Sequence, residues 1–202
     1  MALFLTSDLH IGHANIINYT DRPYSSVPEM NEDLVVRWNS RVERGDTVYI
    51  LGDLAMGKLA ESLEYVDRLN GTKFLIPGNH DRMFHGNDTK KANASQRYVD
   101  AGIHAILAES INLHISPTLD VIATHFPYEG DRSEEDRYAD HRLPDRGDYL
   151  LHGHTHGLWR RNGRMIDVGV DAWAGYPVLF DDVAGLFMSD DADAKPLEWT
   201  HG

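Results

Sequence analysis

An α/β sandwich with mixed β-sheets is the fold class that the amino-acid sequence predicts. In the first half of the chain short apolar segments alternate with helical patterns, and in the middle apolar segments follow one another directly. Alternation is typical of parallel strands joined by helices, whereas consecutive strands favour antiparallel pairs. The chain has 202 residues, 42% hydrophobic and 25% charged, which is the composition of a folded globular protein.

Seven short apolar segments are predicted to be buried strands. They are Ala2–Thr6, Thr47–Leu51, Lys73–Ile76, Leu119–Thr124, Tyr149–His152, Met165–Val168 and Pro177–Phe180. Most are almost continuously apolar, which is typical of strands covered on both faces. The stretch Ile103–Thr124 is expected to hold two or three strands in succession, as in antiparallel hairpins.

Three helices are expected between these strands. The first begins at the cap residue Ser26, with Pro28 and Glu29 in its first turn. Its apolar residues recur at helical spacing, at Met30, Leu34, Val35 and Trp38. The second carries the apolar stripe Leu59, Leu63, Val66 and Leu69 and ends at Asn70-Gly71. A weaker pattern over Ala92–Ala101 predicts the third.

The chain is expected to form one domain over residues 1–202, because its length suits one domain and no long linker interrupts it. Residues 129–148 are polar and are predicted to be a surface loop with one short helix. Residues 189–202 are predicted to be an acidic C-terminal tail, frayed over Ser189–Ala194.

The composition excludes several classes of site. The chain contains no cysteine, which excludes disulfides, thiolate metal sites and cysteine nucleophiles. A formal net charge of −13 argues against holding a long nucleic acid by charge. No basic segment precedes the early apolar run, and no run approaches the ~18 apolar residues of a membrane span. We therefore expect a cytoplasmic protein without a membrane partner.

Polar residues of the same few types follow five of the predicted strands. These groups are Asp8-Leu9-His10, Gly52-Asp53, Gly78-Asn79-His80-Asp81, Thr124-His125 and Gly153-His154-Thr155-His156. Ligands of open α/β sheets bind outside the carboxyl ends of the strands, so the five loops are expected to converge on one site.

The chemistry of these groups indicates metal ions. Seven side chains are candidate ligands: Asp8, His10, Asp53, Asn79, His125, His154 and His156. A mixed set of imidazoles and oxygens suits Mn, Fe, Zn, Ni or Co better than Mg or Ca. Two cations ~3.5–4 Å apart can clamp the attacking and leaving oxygens of a phosphoryl displacement. Taken singly, each motif also fits a cap, a turn or a strand end; the five in order favour a site.

This ordered set of motifs, from Asp8 to His156, resembles the calcineurin-like metallophosphoesterase superfamily. The sequence around these motifs is similar to that of a small bacterial and phage branch of predicted phosphoesterases. That similarity rests on residues 7–13, 15–17, Arg22-Pro23 and 168–173. The resemblance implies a four-layer αββα sandwich with two mixed β-sheets, in the cytoplasm of a bacterial cell or a phage-infected host.

The resemblance also implies a role for each candidate ligand. The first ion would take Asp8, His10 and His156, and the second Asn79, His125 and His154. Asp53 would bridge the two ions, with a metal-bridging hydroxide as the nucleophile. Two divalent ions are expected, with Mn²⁺ first and Fe, Zn, Ni or Co as alternatives.

Four further residues are candidates for catalysis or substrate binding. By resemblance, His80 would contact the substrate phosphate and help to protonate the leaving oxygen. Asp81 would either orient His80 through a hydrogen bond or cap a turn. His13 would touch substrate, donate a hydrogen bond to a ligand, or satisfy the backbone of its own loop. Arg22 would either pair with a phosphate oxygen or form a surface ion pair.

The favoured function is hydrolysis of phosphodiesters, with small or cyclic nucleotides as substrates. Alternatives within enzymes are a phosphomonoesterase, including a protein phosphatase, and a nuclease for short single strands. A non-catalytic scaffold with the same fold and a metal-storage or sensing module are alternatives of other classes. All seven ligands and His80 are present, which favours an enzyme. Nothing in the sequence indicates the oligomeric state.

Overall fold

Two mixed β-sheets form the centre of the fold. A computed structural model describes residues 1–116, 119–133 and 137–199. The strands are β1 (Leu3–Thr6), β2 (Thr47–Ile50), β3 (Thr72–Leu75), β4 (Ile103–Ile106), β5 (Ser110–Ser116), β6 (Leu119–Thr124), β7 (Tyr149–His152), β8 (Arg161–Asn162), β9 (Met165–Asp167), β10 (Val178–Leu179) and β11 (Asp193–Ala194). The helices are α1 (Ala14–Tyr19), α2 (Val27–Arg41), α3 (Leu59–Asp67), α4 (Asp88–Asp100) and α5 (Phe180–Met188), and a 3₁₀ turn covers Ala139–His141.

The first sheet has the strand order β10-β1-β2-β3-β4. Strands β1 to β4 run parallel, and β10 pairs antiparallel with β1. Parallel strands need crossover connections, and here α2, α3 and α4 lie in those connections. The carboxyl ends of β1, β2 and β3 therefore lie side by side at one edge of this sheet.

The second sheet has the strand order β11-β8-β9-β7-β6-β5. Its middle strands β6, β7 and β9 are parallel, whereas β5, β8 and β11 pair antiparallel with their neighbours. The antiparallel pair β5–β6 is the hairpin that the stretch Ile103–Thr124 predicts. The α/β fold with two mixed sheets is thus confirmed.

Alternate residues of the first sheet enter two different cores. Phe4 and Val48 pack in a cluster with residues of α2, α3 and α4, including Trp38 and Tyr98. The second cluster joins the two sheets and also takes residues of α5; its members include Leu5, Leu51, Ile76, Val121, Leu151, Ile166 and Val183. Because side chains alternate across a strand, one sheet can contact helices on one face and the second sheet on the other.

The helix caps agree with the sequence signals. The Ser26 hydroxyl accepts a hydrogen bond from the backbone N–H of Glu29 at 3.3 Å, at the start of α2. Asn87 caps α4 in the same way, through the N–H of Lys90 at 3.1 Å. The predicted helix over Ala92–Ala101 therefore starts earlier, because Asn87 supplies the cap. None of the helices among the described residues is long and apolar enough to cross a membrane.

The C-terminal part of the fold departs from the predictions. Only Val178–Leu179 of the predicted strand Pro177–Phe180 is a strand, because Phe180 begins α5. The prediction that Ser189–Ala194 are frayed is wrong for Asp193–Ala194, because these two residues pair with β8. Residues 134–136 of the predicted surface loop and 200–202 of the predicted tail lie outside the described residues.

Candidate dinuclear metal centre

The five predicted loops do converge, at the carboxyl ends of β1, β2 and β3 in the first sheet and of β6 and β7 in the second. Backbone hydrogen bonds link the loops to one another. The N–H of Asp8 donates to the carbonyl of Gly52 at 3.0 Å, and that of His10 to the carbonyl of Asp53 at 2.9 Å. Across the two sheets, the N–H of His154 donates to Asp8 Oδ2 at 2.9 Å.

The first group of donors is Asp8, His10 and His156. One ligand atom from each lies within 4.8 Å of the others. The imidazole rings of His10 and His156 are 5.0 Å apart between centroids. The structure therefore brings together the three side chains that the family resemblance assigns to one ion.

The second group is Asn79, His125 and His154. Asn79 Oδ1 lies 3.0 Å from His125 Nε2 and 3.1 Å from His154 Nδ1. Asp53 lies between the two groups, since its Oδ2 is 3.4 Å from His10 Nε2 and 3.6 Å from His125 Nε2. This is the position that a carboxylate shared by two ions would need.

Three polar atoms at the centre of this cluster are buried without a hydrogen-bond partner among the described residues. They are Asp8 Oδ1, His10 Nε2 and Asp53 Oδ2. A buried polar group without a partner is costly, and two buried carboxylates also repel each other. Cations placed among these atoms would satisfy all three, so the residues present fit a pair of divalent ions.

The pKa shifts of the clustered side chains also fit a site for divalent ions. Burial raises the pKa of Asp8 and of Asp53 above the ordinary value of 3.8. Burial lowers the pKa of His10 well below 6.5 and that of His125 to about 4. At neutral pH these imidazoles are uncharged, which is the form that binds metal ions. The carboxylates, in contrast, need positive charge beside them to stay ionised.

The backbone of the ligand loops is strained. Eight non-glycine residues among those described have a positive φ, and five of them are predicted ligands: Asp8, His10, Asp53, His154 and His156. Their φ angles lie between 49° and 70°. A left-handed conformation is unfavourable for such residues and is found most often at functional sites.

Two glycines allow the loops to approach each other closely. A Cβ at position 153 would come within 2.5 Å of Asp8 Oδ2, and one at position 78 within 2.6 Å of the backbone nitrogen of Asp53. Real side chains do not tolerate such distances. These glycines are therefore more than strand terminators, because the ligands of neighbouring loops occupy the space that a side chain would fill.

Hydrogen bonds orient two of the ligand histidines. His125 donates from Nδ1 to the carbonyl of Leu51 at 2.7 Å, which leaves Nε2 facing the cluster. His156 Nδ1 lies 3.0 Å from Asp171 Oδ2. Burial would lower the pKa of His156, but the hydrogen bond to Asp171 and the charge of Asp8 raise it overall. Such partners commonly fix the orientation of metal-binding histidines.

Arg22 binds protein groups and is not free for a phosphate. Its guanidinium forms a bidentate ion pair with Asp171 at 2.8 and 2.9 Å. It also donates to the carbonyl oxygens of Asp8 at 2.7 Å and Leu9 at 2.9 Å. The side chain is buried, so both predicted roles, the phosphate contact and the surface ion pair, are replaced by a buried clamp on the first ligand loop.

Asp81 takes the turn-capping role of its two predicted roles. Its carboxylate accepts hydrogen bonds from the backbone N–H groups of Asp53, Leu54 and Gly78 at 2.8–3.1 Å. The hydroxyl of Tyr98 also lies 3.2 Å from it. No hydrogen bond to the His80 ring is found within the described part of the chain. Asp81 therefore holds two ligand loops together and does not orient His80.

His80 and His13 lie at the open side of the cluster. The backbone N–H of His80 donates to Asp53 Oδ1 at 2.8 Å, and its exposed ring is 5.3 Å from the ring of His10. The ring of His13 is 6.1 Å from His80 and 5.3 Å from His10. Both rings are therefore placed beside the ligands without being among them.

Three acidic residues near the ligands were not found by sequence reasoning. Asp171 holds His156, and Asp131 Oδ2 lies 3.3 Å from His154 Nε2. Asp167 accepts hydrogen bonds from the Thr155 hydroxyl at 2.6 Å and the Gly157 N–H at 3.1 Å. Asp171 could have been found, because it lies in the segment 168–173, whose sequence resembles the phosphoesterase branch. Asp131 lies in a polar loop with no distinguishing sequence pattern.

Fold and site together define a protein with a metal-binding phosphoesterase architecture, and comparison with known proteins agrees. The chain belongs to the calcineurin-like phosphoesterase family, whose profile matches residues 1–158. This confirms the resemblance that the sequence motifs predict.

Its relatives include phage proteins. It is 37% identical over 193 residues to the Gene 66 protein of Mycobacterium phage L5, covering 91% of this chain and 92% of that protein. The Gene 66 protein of Mycobacterium phage D29 is 37% identical over 180 residues, covering 85% and 88%. A crystal structure of AQ665 from Aquifex aeolicus, described as a protein of unknown function, has the same fold, with a TM-score of 0.66 at 21% identity, covering 92% of this chain and 98% of that one.

Proposed function

We propose that this protein is a phosphodiesterase that uses two divalent metal ions, with Mn²⁺ as the preferred metal. The observation that carries the proposal is the position of Asp53 Oδ2, buried without a partner between two groups of ligand side chains. Family membership supports the broader statement that the protein hydrolyses phosphate esters.

The described residues supply a ligand set for each ion. Asp8, His10 and His156 would hold one ion, Asn79, His125 and His154 the other, and Asp53 would be shared. When bound, two such ions lower the pKa of water and neutralise charge on phosphoryl oxygens. The low histidine pKa values keep these ligands ready to bind at neutral pH.

His80 is the proposed proton donor and phosphate contact. Its ring is exposed beside His10, and its backbone is fixed by the hydrogen bond to Asp53. Although the side chain reaches solvent, partial desolvation by its neighbours lowers the pKa of His80, while the charge of Asp53 opposes that shift. The negative charge of a bound phosphate would favour the protonated ring, because an opposite charge nearby stabilises the charged form. His13 is the proposed second contact at this open side.

A small phosphodiester, such as a cyclic nucleotide, is the proposed substrate. The net charge of −13 disfavours a long polyanion, whereas a small nucleotide can be held by the ions and the nearby histidines.

Location in the cytoplasm and a single domain over residues 1–202 stay predictions. The alternative enzyme functions are a phosphomonoesterase and a nuclease for short single strands. A panel of phosphate esters separates these alternatives from a phosphodiesterase.

The test is a substrate panel assayed with Mn²⁺. It contains bis(p-nitrophenyl) phosphate, p-nitrophenyl phosphate, cyclic nucleotides and short oligonucleotides. We expect hydrolysis of the aryl diester and of at least one cyclic nucleotide, with slower hydrolysis of the monoester. Turnover of the monoester tenfold faster than every diester would show that the substrate class is wrong. Metal binding without turnover of any ester would favour a scaffold or a metal-storage module.

A further inference from the structure

A cavity of about 810 Å³ opens beside the metal centre. Its wall includes Asn79, His80 and Asp81, so it is continuous with the ligand loops and with the proposed proton donor. Cavities of roughly 300–1,000 Å³ are typical of sites for small molecules and cofactors. A nucleotide-sized group attached to the reacting phosphate would therefore have room here.

The cavity is basic although the chain is strongly acidic. Arg82, Lys90 and Arg97 all line it, and all three are exposed. Within the described residues, no ion pair joins any of them to a carboxylate; Arg82 contacts the carbonyl oxygen of Gly57 at 3.3 Å. In a protein with 32 acidic and 19 basic residues, three such cations around one cavity indicate an anionic ligand.

The one acidic residue among the described lining residues does not cancel this charge in the cavity. The Asp81 carboxylate is buried and accepts backbone hydrogen bonds from the ligand loops, with the Tyr98 hydroxyl also beside it. Lys90 and Arg97 are seven residues apart on α4, which is about two helical turns, so both lie on the same face of the helix. The two cations are thus spaced along the helix face that lines the cavity.

We propose that this cavity binds a second phosphate of the substrate, on the leaving-group side of the bond that is broken. The proposal rests on the proposed function. It assigns the site to phosphodiesters whose leaving group carries a further phosphate, such as a terminally phosphorylated dinucleotide. Hydrolysis consumes one water: its oxygen bonds to phosphorus, the bond from phosphorus to the leaving oxygen breaks, and that oxygen receives a proton. The second phosphate is bound but does not react.

The substrate test compares dithymidine monophosphate with the forms that carry a phosphate at the 5′ end or at the 3′ end. We expect kcat/KM about tenfold higher for one or both phosphorylated forms, because several exposed charge pairs add modest contributions. The advantage should fall with added salt, because exposed charges are screened. Equal kcat/KM for all three dinucleotides would overturn the proposal while leaving the proposed function intact.

The binding test does not need turnover. We expect thymidine 3′,5′-bisphosphate to bind about tenfold more tightly than thymidine 5′-monophosphate, measured by calorimetry with and without Mn²⁺. The double variant Lys90→Gln/Arg97→Gln should lose this advantage and should bring the dinucleotide ratio close to one. If no diester is hydrolysed but the bisphosphate advantage holds, the proposed function fails and the phosphate site stands.

A matched control removes the same charge elsewhere. Arg44 and Arg146 are exposed and precede the first residues of β2 and β7, at the ends of these strands opposite to the metal centre. Arg44→Gln/Arg146→Gln should keep both the bisphosphate advantage and the dinucleotide ratio. Loss of the advantage in this control as well would overturn the proposal, because the effect would then come from net charge. Melting temperatures of all variants check that they fold.

Discussion

Asp53 and His80 are joined by a hydrogen bond but are proposed to have different roles. Asp53 offers a buried carboxylate oxygen to both ligand groups, whereas the His80 ring faces solvent beside them. Removal of the first should therefore affect metal binding, and removal of the second should affect turnover.

We predict that Asp53→Ala loses at least one metal ion per chain together with its activity, because the shared negative charge is gone. His80→Ala should keep both ions and lose turnover 10²–10⁴-fold, the usual effect of a general acid or charge-stabilising group. Bound metal per chain and kcat are measured for both. A metal-free His80→Ala beside a fully loaded Asp53→Ala would reverse the two roles.

The pair Arg22–Asp171 gives a second prediction at the residue scale. Asp171→Asn leaves the buried Arg22 without its charged partner, so the free energy of unfolding at pH 7 should fall by roughly 3–5 kcal/mol. Metal affinity should fall about 10–100-fold, because His156 loses its charged partner. Urea unfolding in EDTA and metal titration measure the two effects. Asp145→Asn, in an exposed pair with Arg164, should change stability little.

The stability difference between wild type and the Asp171→Asn variant should depend on pH. Burial would raise the pKa of Asp171, but the charge of Arg22 and the hydrogen bonds from His156 and Arg22 hold it well below 3.8. A carboxyl whose pKa is lower in the folded chain stabilises the fold above the unfolded-state value and loses that contribution as pH falls. The stability gap between wild type and Asp171→Asn should therefore be largest in mild acid, where protonated His156 adds to it, and should narrow below about pH 3.8. A gap that keeps widening below pH 3.8 would contradict this assignment.

At this scale the sequence predicted the residues that follow strands directly and missed those that act from a distance. The seven candidate ligands each stand at a strand end, so their convergence within each sheet follows from the parallel pairing of the strands, and the packing of the two sheets brings the two sets together. Arg22 is 149 positions from its partner Asp171, and that contact exists only in the folded chain. No local pattern distinguishes a buried clamp from a surface arginine.

The ligand loops act as units at the scale of elements. Gly153 gives a direct test, because a Cβ there would strike Ser7 and Asp8 although its φ is ordinary. Gly153→Ala should therefore lower both metal occupancy and stability, with a cost of a few kcal/mol typical of overpacking. Gly45→Ala is the matched control, since nothing lies within 4 Å of a Cβ there. Full metal occupancy and unchanged stability in Gly153→Ala would show that the loops separate easily.

Element prediction failed where elements are short or packing decides. Helix α1 has six residues, too few for an apolar period to be recognised. Helix α5 has no capping side chain, but Val183 and Phe187, four residues apart and both buried, carry a signal that could have predicted it. Strand β11 has two residues and forms because the edge strand β8 accepts it, which no local sequence feature indicates.

Metal binding should stabilise the whole molecule. An ion that binds only the folded state adds stability by mass action, about 2.7 kcal/mol at a concentration of 100 times Kd. Removal of metal with EDTA should therefore lower Tm, and Mn²⁺ should restore it in a concentration-dependent way. Scans with Mn²⁺, Fe²⁺, Zn²⁺, Ni²⁺ and Co²⁺, together with metal content per chain, measure this. An identical Tm with and without each metal, and no bound metal, would argue against the centre.

The two sheets contribute unequally to each proposed ion, and neither sheet is sufficient. Asp8, His10, Asp53 and Asn79 follow strands of the first sheet, whereas His125, His154 and His156 follow strands of the second. A chain divided between β4 and β5 would give two fragments, each with an incomplete ligand set for both ions. Activity would then report reunion of the halves, so that the protein could serve as a split reporter whose signal depends on two separately expressed pieces meeting.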